Sequence, residues 1–323
     1  MRIIFSRKGF DSQYGKVPSP VLPGGRMVPL PIPSPADPHR LRDVRIDGIS
    51  IGCLVSDLTR RRIGLATRVH LDPDLCPHAR NTGVDSHPAF GQSGAAQTHL
   101  ARQCVGCGDL FLFFGWFRHV EQFNGRWRYA GDGAGFHALF GWLQVGEVVA
   151  VSGRIDEVVQ SHPWLHCHPH VAAADRHRGS NTIYVATRSL RVDGVDFGIA
   201  GGGLFTHLSP TRRLSAEGRS RSWWRLPRWF YPGDGRPGLS YHGDPARWRL
   251  EPASTLLRVV AKGQEFVLDG AHYPEATGWL HAIFHEARGF PRARQREKAG
   301  ADYINRTILP ADGTPVSLTR NRR

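Results

Sequence analysis

Gly108-Asp109-Leu110-Phe111-Leu112-Phe113-Phe114 is the stretch whose reading decides the fold. A Gly-Asp turn opens onto five consecutive apolar residues, three of them aromatic. Such a run is short for a helix and has the character of a strand covered on both faces. A second run of this kind lies within residues 139–151, around Gly141-Trp142-Leu143-Gln144-Val145-Gly146-Glu147-Val148-Val149. Outward from these, residues 1–8, Thr182-Ile183-Tyr184-Val185-Ala186 and Glu265-Phe266-Val267-Leu268 read as further strands. Trp279, Leu280, Ile283 and Phe284 recur at helical spacing, which predicts an amphipathic helix over residues 275–286. A short helix is expected to begin at Gly94-Ala95-Ala96-Gln97-Thr98-His99-Leu100.

The connecting segments are long. Eight prolines between Pro18 and Pro38 fix φ and remove donors, so this part reads as extended chain packed along the surface through Val28, Leu30 and Ile32. Residues 70–100 are rich in Gly, His, Asp and Ser and have loop character, and residues 198–250 show no sustained period. Residues 210–213 read as a polar, exposed segment, which makes Arg212 a neutral surface position. The expected class is mixed α+β, strand-rich with long loops. Residues 1–288 form the expected single domain, followed by a basic, weakly ordered tail over residues 289–323.

The 323 residues carry 42 Lys+Arg against 28 Asp+Glu, a formal charge of +14, with Arg greatly outnumbering Lys. A field of that sign attracts polyanions, and guanidinium groups suit bidentate phosphate contacts. The plainer reading is a composition that places Arg wherever a cation is tolerated. Mean hydropathy is −0.35, and no window approaches the roughly 18 apolar residues of a membrane span. The N-terminal apolar run is too short for a signal peptide. Five cysteines, an odd number, do not suggest a disulfide scaffold, so a reducing, cytoplasmic setting is expected.

Ser6-Arg7-Lys8-Gly9-Phe10-Asp11-Ser12 follows the first strand. Ser6, Arg7, Lys8 and Ser12 offer a phosphate cradle, and Asp11 a base or an orienting group, although the spacing is neither a P-loop nor a dinucleotide fingerprint. The competing reading is a polar turn. Histidines gather in two places: His70, Cys76, His78, His87 and His99 with Cys104-x-x-Cys107 beyond, then His162, His166, Cys167, His168 and His170. One Cys-x-x-Cys without a second ligand pair at finger spacing gives no metal site, so none is expected. Arg-flanked aromatics (Trp116-Phe117-Arg118, Arg126-Trp127-Arg128, Trp223-Trp224-Arg225) suit base stacking beside phosphate contacts, or simply fill the core.

The opening Met1-Arg2-Ile3-Ile4-Phe5-Ser6-Arg7-Lys8-Gly9-Phe10-Asp11-Ser12, the proline loop, residues 108–118 and Gly263-Gln264-Glu265-Phe266-Val267-Leu268-Asp269 resemble the nucleotide modification associated domain 3 family over roughly residues 1–286. The resemblance implies a bacterial or phage protein linked to modification of DNA bases or nucleotides, with other nucleotide-modifying enzymes as possible partners. Two positions depart from the family pattern: Lys16 stands where glycine is expected, and Cys104-Val105-Gly106-Cys107 looks peculiar to this chain. Residues 108–149 also look like part of a PUA-like barrel within residues 100–190, which would cradle an extruded base. On these readings Asp11, His99, His168 and His170 are the catalytic candidates. Trp116, Trp142, Gln92, Gln97 and Gln144 are the base-binding ones. Alternatives are a non-catalytic reader of modified bases and an RNA-binding accessory protein.

Overall fold

The computed structural model describes residues 1–75, 86–177, 179–261, 263 and 265–288. The two long apolar runs become its central strands. The main sheet runs through β1 (Arg2–Arg7), β2 (Ala89–Ser93), β3 (Leu110–Phe123), β4 (Phe136–Ala150), β5 (Asn181–Ala186) and β6 (Glu265–Asp269), in the spatial order β6-β1-β3-β4-β5-β2. β1 is parallel to β3 and antiparallel to β6, which sets Ser6 opposite Glu265. The β4 strand pairs with β3 through Gln144 and with β5 from Val145 onward, with register shifts at Leu139/Gly141 and Val145/Glu147. These irregularities let one strand turn a corner. Ten consecutive residues of β4 are buried, which accounts for its unalternating sequence.

Among the described residues the sheet does not close into a barrel: its end strands β6 and β2 are not paired. The five helices are α1 (Ile51–Leu58), α2 (Gly94–Arg102), α3 (Ile155–Ser161), α4 (Pro169–Ala172) and α5 (Glu275–Arg288). The α2 helix leaves β2 directly and packs against β2, β5 and β6, so it covers the open seam. Within α5, Ala276, Leu280, Ile283 and Phe284 are buried in the main core. The chain is thus the mixed α+β protein expected, with 18 strands and five helices among the described residues. None of those helices is long and apolar enough to cross a membrane.

Four features differ from expectation. The proline-rich segment is not a surface strap: Leu22, Val28 and Leu30 join α1 in a second core cluster. Helix α1 itself is legible in Ile51, Leu54, Val55 and Leu58, with the Ser50 side chain accepting from Cys53 N as N-cap. Residues 198–250 contribute a three-stranded sheet (Trp223–Pro227, Trp248–Leu250 and, beyond them, Ser254–Arg258). Arg212 is not exposed but 1% accessible; it donates to His207 O and Ile283 O, and its guanidinium lies 4.5 Å from the Phe205 ring centroid. Loop polarity misleads there because the arginine is folded under α5. Lys16 has φ +59°, the left-handed conformation that explains an expected glycine. The expected basic tail, residues 289–323, lies outside the described residues.

Candidate functional site

Side chains alternate along β2, so Phe90 and Gln92 point to one face while Gly91 and Ser93 serve the other. A polar centre lies on each side.

On the first face the antiparallel register brings Ser6 to Glu265, and Lys8, two residues on, reaches the same carboxylate. Ser6 Oγ donates to Glu265 Oε1 at 3.0 Å, Gln92 Nε2 donates to it at 2.6 Å, and Lys8 Nζ stands 3.2 Å away. Glu265 is 1% exposed, and its other oxygen, Oε2, is buried with no hydrogen-bond partner among the described residues. Lys8 also lies 4.4 Å over the Phe90 ring, so the ammonium is held by a carboxylate and an aromatic face together. Gln92 therefore links the two unpaired end strands through its side chain. Nearby, Tyr184 OH donates to Gln97 Oε1 at 3.0 Å, and burial pushes the phenol up to about 12. His99 Nε2 is 3.0 Å from Ser240 Oγ; burial lowers its affinity for a proton, while Glu265 works in the other direction.

Lys8 also lines a cleft of about 780 Å³ with Arg7, Asp11, Ser12 and Trp116. Arg221, Arg247 and Arg258 add positive charge to its walls. Arg7 is tied to the carbonyls of Val260 and Ala261 (3.1 and 3.0 Å). Arg221 lies over the Trp116 ring at 4.2 Å. Asp11 Oδ1 accepts from Gln13 N and Tyr14 N (2.7 and 2.6 Å), so that oxygen shapes the turn. His137 at the cleft wall accepts from Trp224 Nε1 at 3.0 Å; burial, then Arg7 and Arg221, push it down to about 3.

On the second face of β2, Asp72 Oδ1 accepts from Gly91 N at 2.7 Å and lies 3.4 Å from His168 Nε2; Asp72 Oδ2 lies 3.8 Å from His70 Nε2. Burial opposes ionisation of Asp72, yet the His168 hydrogen bond and the neighbouring imidazoles outweigh it and hold the carboxyl well below its usual range. His70 comes from the strand Val69–His70, paired with Ile32–Pro33 of the proline segment, and its Nδ1 is 3.2 Å from Asp37. His170, in α4, puts Nδ1 2.7 Å from Asn181 Oδ1 and stacks on His177 at 3.9 Å. Burial pushes His170 down to about 3.

The fold thus brings Ser6, Lys8 and Gln92 onto one carboxylate, and sets Gln97 and His99 on the helix above the seam. Arg7, Asp11, Ser12 and Trp116 line the adjoining cleft, and His168 and His170 lie at the other centre. Trp142 and Gln144 are elsewhere. Trp142 is 7% exposed, donates to Ala200 O and packs on Phe205 and Phe284. Gln144 donates to Arg191 O and accepts from Arg191 N, bracing a loop. In the first His/Cys cluster, Cys104 and Cys107 are free and exposed, while Cys76 and His78 lie outside the described residues. Sequence reasoning assigned no role to Glu265, Asp72, Asp37 or His137. The one available signal was an acidic residue opening an otherwise apolar strand at Glu265.

No curated protein and no solved structure matches the chain. A family match does exist, and it spans both polar centres: over residues 2–269 the chain belongs to the nucleotide modification associated domain 3 family.

Proposed function

We propose that this protein modifies a nucleotide base, in nucleic acid or as the free nucleotide, with phosphates seated in the arginine-lined cleft and the base edge presented to Glu265. The family is named for nucleotide modification, and a nucleotide or nucleic-acid substrate follows from that association. The single observation that carries the finer reading is Glu265 Oε2. A buried carboxylate oxygen without a partner costs free energy unless a ligand donates to it, and carboxylates take the exocyclic amino or ring N–H groups of bases. Lys8, 3.2 Å from that carboxylate, connects it to the cleft. Trp116 supplies an aromatic face there, and the charge of +14 supplies the long-range attraction. Catalytic roles for Asp11, His99, His168 and His170 belong to the same proposal. Of these, His99 stands nearest the Glu265 centre.

Titration of a single-stranded oligonucleotide tests this. Affinity is expected to fall steeply with log salt, and Glu265→Gln is expected to weaken binding of oligonucleotides by about tenfold, a ~1.4 kcal/mol loss of one charged hydrogen bond. Salt-independent binding, or binding indifferent to Glu265→Gln, overturns the assignment.

A further inference from the structure

We propose that His70, Asp72 and His170 hold a divalent transition-metal ion, in a site separate from the Glu265 centre and independent of the reading above. One ligand atom from each of the three lies within 4.8 Å of the others. Tetrahedral ligands at about 2.1 Å from a metal stand roughly 3.4 Å apart, and His70 Nε2 is already 3.8 Å from Asp72 Oδ2.

The surroundings are those of a ligand set. Each imidazole has its Nδ1 occupied by an outer partner, Asp37 for His70 and Asn181 for His170, which leaves Nε2 for the ion. Outer hydrogen bonds of this kind orient metal-ligating histidines and raise their basicity. The ring of His170 lies so close to Gly91 that a Cβ there would sit 2.2 Å from its Cδ2, so the approach depends on glycine. Gly91 N and His168 steady the carboxylate.

Charge makes the case stronger. The Asp72 side chain is 3% exposed, and among the described residues no lysine or arginine pairs with it; Arg176 goes to Asp37 instead. A buried carboxylate among imidazoles lacks a full compensating charge, and a cation supplies it. Two imidazoles with one carboxylate suit Fe²⁺, Zn²⁺ or Mn²⁺ rather than Mg²⁺ or Ca²⁺. A small cavity of about 80 Å³, walled by Leu30, Phe140 and Leu204, touches His70 and Asp72. It gives room for water or a small ligand at the remaining coordination positions. The absence of recognisable spacing in the sequence is no obstacle, because His170 is brought in by α4 from far along the chain.

Cobalt(II) alone is the probe. The full chain, stripped with chelator and titrated without any nucleotide, is expected to bind one Co²⁺ and to show d–d absorption. Binding is expected to raise the melting temperature. His170→Gln and His70→Gln are expected to abolish the signal. Asp37→Asn, which among the three ligands touches only the outer nitrogen of His70, is expected to weaken binding about 10–100-fold. A Cys104→Ser/Cys107→Ser variant keeps it. If His170→Gln fails to fold, the half-buried His70→Gln and Asp37→Asn decide. No Co²⁺ binding, or binding that persists in His70→Gln and disappears with the cysteines, overturns the proposal. Because no nucleotide is present, either outcome leaves the Glu265 reading to its own test.

Discussion

The two faces of β2 each carry a buried carboxylate, and the two are held in different ways. Glu265 has a cation, Lys8, and an oxygen that no described residue uses. Asp72 has hydrogen-bond donors and imidazoles around it but, among the described residues, no lysine or arginine. The first is balanced in charge and has an acceptor to spare. The second is steadied at one oxygen by Gly91 N and His168 and is short of positive charge. A donor on a ligand completes the first, whereas a cation completes the second. One strand supports both because alternation separates them by a single residue.

The largest effect is expected where a cation can be removed. Lys8→Met leaves Glu265 buried without its cation and should cost about 3–5 kcal/mol. The double variant Lys8→Met/Glu265→Gln should recover most of that loss, since the uncompensated charge has gone too. Urea denaturation of the three proteins measures it; a mild Lys8→Met would break the comparison by showing that Lys8 is not what balances Glu265.

A smaller cost is expected on the other face. Gly91→Ala places a methyl against the His170 ring, which Asn181 and His177 hold in position. Overpacking of this kind costs about 1–3 kcal/mol and should weaken Co²⁺ binding while oligonucleotide binding stays within about twofold, less than ~0.5 kcal/mol. Equal losses of both would show that the two centres are coupled.

Acid sharpens the contrast from the cleft side. Burial, then Arg7 and Arg221, push His137 down to about 3; burial pushes His242 down to about 4, with the Ser240 carbonyl opposing and Arg247 and Arg7 assisting. Both rings fold as neutral bases, whereas the unfolded chain takes up their protons below about 6.5. Their contribution is therefore complete above that pH. Stability is lost as the pH falls from 6.5 toward 4, by up to about 1.4 kcal/mol per unit for each ring. A denaturation midpoint that holds constant from pH 7 to 5 would show these rings to be charged or exposed.

The central strands were legible because burial on both faces writes itself as unbroken apolar runs, as in β3 and β4. The β2 strand was not. Ala89-Phe90-Gly91-Gln92-Ser93 reads as loop because Gly91, Gln92 and Ser93 lower strand propensity, and the fold needs each of them: Gly91 for the His170 ring, Gln92 for Glu265, Ser93 for His177. The demands of the tertiary contacts and local propensity conflict at such positions. Ser6 and Lys8 could be singled out as polar groups at a strand end, but their partner Glu265 lies across a register set by the whole sheet. The Asp72 centre was half legible: its histidines were conspicuous, while the aspartate that gathers them sits in a segment paired to the proline-rich chain. Arg212 failed for the opposite reason, since a polar neighbourhood in sequence conceals a guanidinium buried under a helix.

The central claim, that Glu265 serves chemistry on a nucleotide base, is tested most directly by mass spectrometry of nucleosides. DNA and the free nucleotide pool from cells carrying the wild-type gene, the Glu265→Gln gene or no gene would be compared. A modified nucleoside is expected with the wild type and absent from the other two, with the variant protein present at comparable level. An identical nucleoside composition in all three would contradict the claim.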